Sequence, residues 1–313
     1  MMYSAYWPSN DSGLIMNMLS RIPLQDSANA DKHWRALFKG DFYAREISQG
    51  QVHTCMGKTQ HYGPLRVQRP FYPEGNELLH LYLLHPPGGL VGGDELSIDI
   101  TARDGAKVLV TTPSAGKLYR NETDMQQGQH VSIKVNAGSV VEYLPQENII
   151  FNGAKGTLNT LVELKGDGLF IGWEITCLGR PEGQQYFEHG TLSQNLIIKK
   201  EDKPLFIDRL QLDANDGLMQ SPVGLQGHTT FATFVINREI GSETYTQLID
   251  LQQSHNYPTS VAYMGVTQKK DVFIVRVLGD RAEPVRQLLE KVWEIVRPDV
   301  YGREFCIPRI WNT

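Results

Sequence analysis

From Trp34 onward the chain alternates apolar and polar positions with a period of two. Trp34, Ala36 and Phe38 interleave with Arg35, Leu37 and Lys39. The same spacing returns in Leu96-Ile98-Ile100, Val108-Val110, Val131-Ile133-Val135, Leu169-Ile171-Trp173-Ile175, Leu205-Ile207 and Phe231-Thr233-Val235. Successive side chains of a strand point to opposite faces, so each run predicts a strand with one apolar face. Asp104-Gly105, Ala137-Gly138 and Gly166-Asp167-Gly168 punctuate the runs as turns. Many short strands with no αβ alternation and no exact repeat predict a mainly β body of stacked sheets.

Two segments break the pattern. Tyr245, Leu248, Ile249 and Gln252 predict a short helix at about 243–254. Val285, Leu288, Leu289, Val292 and Val296 form a single stripe of helical period, predicting a helix over 281–297. Asp280 and Glu283 read as its N-cap and capping-box partner, and Pro298 as its stop. Residues 1–32, rich in Ser, Asn, Asp and Met and interrupted by Pro8 and Pro23, read as an irregular N-terminal extension. Met16 and Met18 offer later starts within it. Residues 33–313 read as one β-rich domain.

Composition narrows the function classes. A net charge of −5 without a basic run argues against nucleic acid or an anionic membrane surface as partner. No apolar stretch approaches the ~20 residues of a membrane span. The first thirteen residues carry no positive charge and no apolar core of a secretory signal. Cys55, Cys177 and Cys306 are few, odd in number and far apart, which fits a reducing cytoplasm better than a disulfide framework.

Catalytic motifs are missing. The chain has no Gly-x-Ser-x-Gly, His-Glu-x-x-His, Cys-x-x-Cys or phosphate-binding Gly-x-x-x-x-Gly-Lys-Ser/Thr. His80 and His85 are five apart, hence on opposite faces of a regular strand. His53 and Cys55 share a face but supply only two metal ligands. Carboxylates are more informative: Glu142, Glu174 and Asp208 each sit inside a mostly apolar run. Alternation predicts that Glu174 faces the same way as Phe170 and Gly172. Such acids either face solvent or line an internal wet passage, where they need partners, water or cations.

One loop stands out. His85-Pro86-Pro87-Gly88-Gly89-Leu90-Val91-Gly92-Gly93-Asp94-Glu95 joins two apolar runs. Its prolines fix φ, while Gly88, Gly89, Gly92 and Gly93 permit positive φ and close backbone approach. It has one histidine at its entrance and two carboxylates at its exit. One reading of these groups is a metal-assisted hydrolase built on His85, Asp94 and Glu95, which requires all three to converge in a substrate-sized cleft. A β scaffold without a metal route is another reading, and it would place the acids on outer faces.

Longer motifs favour a different reading. Gly63-Pro64-Leu65-Arg66-Val67-Gln68-Arg69-Pro70-Phe71-Tyr72-Pro73-Glu74 and His80-Leu81-Tyr82-Leu83-Leu84-His85-Pro86-Pro87-Gly88-Gly89 closely resemble the UreD family of urease accessory proteins, called UreH in some organisms. Thr111-Thr112-Pro113 with Lys117-Leu118-Tyr119-Arg120, Leu144-Pro145-Gln146-Glu147, Cys177-Leu178-Gly179-Arg180-Pro181 and Pro308-Arg309-Ile310-Trp311 agree with it. The resemblance runs in order over roughly residues 34–313. It implies a helical stack of sheets with few helices, and a chaperone with no catalytic reaction of its own. It implies a complex with UreF and the GTPase UreG that docks on apo-urease, and nickel passing through an internal tunnel without a tightly bound cofactor. Asp94, Glu95, Glu174 and Asp208 match acidic positions associated with that tunnel. Weak, scattered oxygen ligands suit transit, because a dense His/Cys cluster would trap the ion. Two departures stand out. Gln184-Gln185 replaces a common Gly-Glu, and Gly116 precedes Lys117 where a small hydroxyl residue is frequent.

Overall fold

The computed structural model describes residues 34–48, 50–255 and 262–312. The extension expected at 1–32 lies outside the described residues. Two sheets dominate. One has seven strands in the order β14 (Lys203–Asp213), β13 (Thr191–Lys200), β11 (Lys155–Leu164), β8 (Gln127–Val135), β5 (Glu95–Arg103), β1 (Arg35–Ser48) and β2 (Gln51–Tyr62). The other runs β16 (Ala262–Lys269), β17 (Val272–Gly279), β15 (Thr230–Ile236), β12 (Leu169–Leu178), β9 (Val140–Tyr143), β6 (Lys107–Thr111), β4 (Leu78–Leu84) and β3 (Arg66–Val67). Two short strands, β7 (Gly116–Leu118) and β10 (Asn148–Ile150), extend it beside β12.

The chain visits the two sheets alternately. β5 turns into β6, β8 into β9 and β11 into β12, each crossing from the seven-stranded to the ten-stranded sheet. Neighbours within a layer are parallel here, so the body is a solenoid of two-strand coils. The turns predicted at Gly105, Gly138 and Gly166 all have positive φ. They stack: Asn136 N donates to Ala102 O and Lys165 N to Val135 O. Stacking of coils passes the backbone ladder from one coil to the next, which is how irregular sequences hold a regular stack.

Alternation sorts the side chains into layers. Phe38, Phe42, Ile98, Ile100, Val131 and Ile133 meet Leu81, Val110, Val141 and Phe170 between the sheets. The other face of the ten-stranded sheet is covered by α1 (Ser242–His255) and α2 (Ala282–Tyr301) over Trp173, Phe234 and Val275. All five stripe residues of α2 are buried. No helix among the described residues is long and apolar enough to cross a membrane.

The expected ends of α2 are corrected. Arg281 occupies the N-cap and its side chain makes no capping bond. Asp280 instead pairs with His228 Nδ1 at 2.8 Å, and Glu283 bonds Gln287. The helix also runs through Pro298 to a left-handed Gly302. Proline forfeits one backbone bond. The last turn is nevertheless held by tertiary partners: Arg238 donates to Val300 O at 2.8 Å, and Asp299 accepts from Gly241 N at 2.6 Å.

Candidate functional site

Two cavities between the sheets open toward the surface. The smaller, about 70 Å³, adjoins the glycine-rich loop. His85 leaves β4 into it, and Thr112, Ser114, Gln129, Tyr143, Gln146 and Asn148 add polar atoms to its wall. Burial pushes the His85 imidazole below its ordinary value, partly opposed by Asp94.

The loop is shaped as its composition predicts. Gly88 and Gly93 have φ of 81° and 87°. Gly89 has ordinary φ but no space: a Cβ there would lie 2.4 Å from the Tyr119 ring and 2.8 Å from Lys117 O. Leu90 pairs with the strand opposite, with Leu90 N donating to Lys117 O at 2.7 Å and Tyr119 N to Leu90 O at 2.9 Å. Asp94 is buried and committed to this architecture. Its Oδ1 accepts from Trp34 N at 2.9 Å and its Oδ2 from Val91 N at 3.0 Å. Glu95 is half-exposed beside Arg35, 3.8 Å away. Neither acid lines the smaller cavity with His85, so the three groups of the hydrolase reading do not converge on a cleft.

The larger cavity, about 350 Å³, brings Glu174 and Asp208 together. Glu174 points inward from β12, on the Phe170 face as the alternation predicts. Thr160 Oγ1 on β11 donates to its Oε1 at 2.5 Å, and Gln194 Nε2 on β13 to its Oε2 at 2.9 Å. Gln194 is itself fixed by Thr176 Oγ1 at 2.8 Å. Both partners of the carboxylate are neutral. Burial pushes Glu174 up to about 7, with Thr160 and Gln194 opposing and the charge of Asp208 adding to the rise. Asp208, on the edge strand β14, accepts from Thr233 Oγ1 and pairs with Arg276 Nη2, both at 3.1 Å.

Tyr143 lies on the strand beside that of Glu174. It lines the smaller cavity, and its backbone pairs with Gly172, two residues before Glu174 on the same strand face. Burial and the Glu174 charge both raise its phenol. His85 and Tyr143 thus share the smaller cavity, and Glu174, Gln194 and Asp208 share the larger. Alternation located the acids. Thr160, Gln194 and Tyr143 escaped it, because a neutral polar residue on a strand carries no sequence signal until its partner across the core is known.

Glu142 resolves the other way. It is buried on the helical face, where Trp293 Nε1 donates to Oε2 at 2.8 Å and Arg297 Nη2 to Oε1 at 2.9 Å. Arg297 also pairs with Glu74, which holds His80 Nε2 at 2.8 Å. His53 packs at a tilt against Tyr72, and Cys55 turns its Sγ toward His53 O. Cys55, Cys177 and Cys306 are all free. No group of three or more His, Cys, Asp or Glu residues is placed to hold a metal among the described residues.

Comparison with known proteins gives a consistent picture. Residues 42–312 match the family model for the UreD urease accessory protein. A urease accessory protein UreD of Saccharophagus degradans is 41% identical over 261 residues, spanning 83% of this chain and 88% of its own. UreD of Alcanivorax borkumensis is 41% identical over 296 residues, 92% and 96% of the two chains. UreD of Hahella chejuensis is 36% identical over 300 residues, 93% and 94%. With the motifs, the stacked sheets and these matches over most of the chain in agreement, the chain belongs to the UreD family of urease accessory proteins.

Proposed function

We propose that this chain is a non-catalytic chaperone of urease maturation that offers nickel an internal route between its two sheets. It acts in the cytoplasm, in a complex with UreF and the GTPase UreG that docks on apo-urease. The family membership supports the maturation role. The observation that carries the route is Glu174, a carboxylate enclosed by neutral donors on the wall of a cavity between the sheets. Such a group is compensated by a proton or by a passing cation. Asp208 supplies a second oxygen ligand at the outer end. Asp94 and Glu95 act on the route indirectly, from the loop that carries His85 into the smaller cavity. Oxygen ligands of this kind exchange fast and suit cargo rather than storage.

Blocking the bore tests the proposal. Glu174→Trp should leave UreF binding intact and abolish nickel loading of apo-urease in a reconstituted reaction with UreF, UreG and GTP. The Glu174→Ala/Asp208→Ala double variant should lose part of it. Full loading by both variants, with complex formation unchanged, would place the route elsewhere.

A further inference from the structure

The ten-stranded sheet parts at one place. β6 and β9 pair in register up to Val110 and Tyr143, and Leu144 N still donates to Val110 O at 2.9 Å. Pairing resumes at Gly116 N to Glu147 O, where β7 and β10 begin. Between these points the two segments separate. Pro113 and Pro145 supply no amide to a ladder, and Gln146 N turns to the Thr112 hydroxyl instead. The separated segments wall the smaller cavity, and Ser114 is both exposed and part of its lining. The cavity therefore opens where the sheet parts.

The last residues of the chain hold the frame of that opening. Thr111 is fully buried at the end of β6. Its hydroxyl donates across to Leu144 O at 2.5 Å and accepts from Trp311 Nε1 at 2.8 Å. Trp311 rests on Trp173 and Trp293, and Trp173 Nε1 donates to Pro145 O at 2.7 Å. The backbone of Arg309 and Ile310 reaches the Tyr82 hydroxyl on β4. Side-chain bonds replace the lost ladder on both sides of the gap, and the one to Thr111 comes from a segment far away in the chain.

We propose that the C-terminal segment Arg309–Asn312 is a strap that fixes the opening of the smaller cavity, with Trp311 and Thr111 as positioning residues. Its consequence for nickel rests on the route proposed above. Its structural part is independent of that route.

Hydrogen exchange on the full-length chain tests the structural part. Trp311→Phe removes the donor while keeping a smaller aromatic ring in the stack. The amides of Gly116 and Gln146 should then exchange about tenfold faster, with β11 and β12 unchanged and the melting temperature nearly constant. Thr111→Val should reproduce the effect, and Thr111→Ser should restore wild-type protection. Uniform acceleration across the chain, or none at the opening, would overturn the strap. In reconstituted urease activation, Trp311→Phe and Thr111→Val should lower nickel loading severalfold without loss of UreF binding, while Thr111→Ser should not. Local exchange changes with wild-type loading would show that the opening is not positioned for transit. Unimpaired loading by Glu174→Trp would instead remove the route and leave the exchange result standing.

Discussion

At the scale of single residues, Glu174 shows how one environment changes the chemistry of a common side chain. Its carboxyl is raised to about 7 in the folded chain, against about 4.3 when unfolded. The folded state thus holds the proton more tightly. The stability this contributes is present below the unfolded value and is lost as pH rises from about 4.3 through 7. Water in the adjoining cavity screens the charge, so the loss is on the order of 1–3 kcal/mol rather than the full shift. Glu174→Gln keeps the shape and has no charge to bury. It should match wild type near pH 4 and exceed it by that amount at pH 8, as read from urea unfolding at both values. Equal pH dependence in the two proteins would mean that Glu174 is ionised and solvated throughout. Asp94 is the contrasting case. Its two oxygens are occupied by backbone amides, so it organises the loop through hydrogen bonds to a charged acceptor.

At the scale of elements, the loop from His85 to Glu95 depends on glycine for two separate reasons. Gly93 needs the left-handed region, so Gly93→Val should cost about 1–3 kcal/mol of strain. Gly89 needs the absence of a Cβ against Tyr119 and Lys117. Gly89→Val should cost a similar 1–3 kcal/mol through overpacking. The two are distinguishable. Tyr119→Ala on the Gly89→Val background should recover part of the loss by opening space, but should do nothing for Gly93→Val. Chemical denaturation of the two double variants decides it. In α2, the residues that fill the stripe and the buried Arg297 keep the last turn helical beyond Pro298. Local proline chemistry is a small term beside burial of a whole helix face.

At the scale of the whole molecule, Arg297 joins the helical layer to the ten-stranded sheet. It is fully buried and reaches Glu142 on β9 and Glu74 before β4. Burial favours the neutral form of Glu74, but hydrogen bonds from His80 and Arg297 outweigh it and hold the carboxyl below its ordinary value. Removing one partner of such a cluster leaves buried charge uncompensated. Arg297→Met should therefore destabilise the chain by about 3–5 kcal/mol. Adding Glu142→Gln should recover part of that loss, because one of the two carboxylates left without Arg297 is then neutral. Additive losses in the double variant would contradict the coupling.

The sequence by itself determined the β character of the body, the turns that stack, the two helices and the inward direction of Glu174. Each of these follows from local periodicity or from residues that only certain backbone conformations tolerate. It also carried enough long motifs to reveal the family. Which acids share a space was decided by tertiary structure. Glu142, Glu174 and Asp208 look alike as carboxylates in apolar strands. One ended in an ion cluster under a helix, and two came together on a cavity. The face of a strand is set by its own alternation, but what that face meets is set by the order in which strands stack. The same reason hid Thr160, Gln194 and Tyr143 from the sequence, and it hid the bond between Thr111 and Trp311, two hundred residues apart.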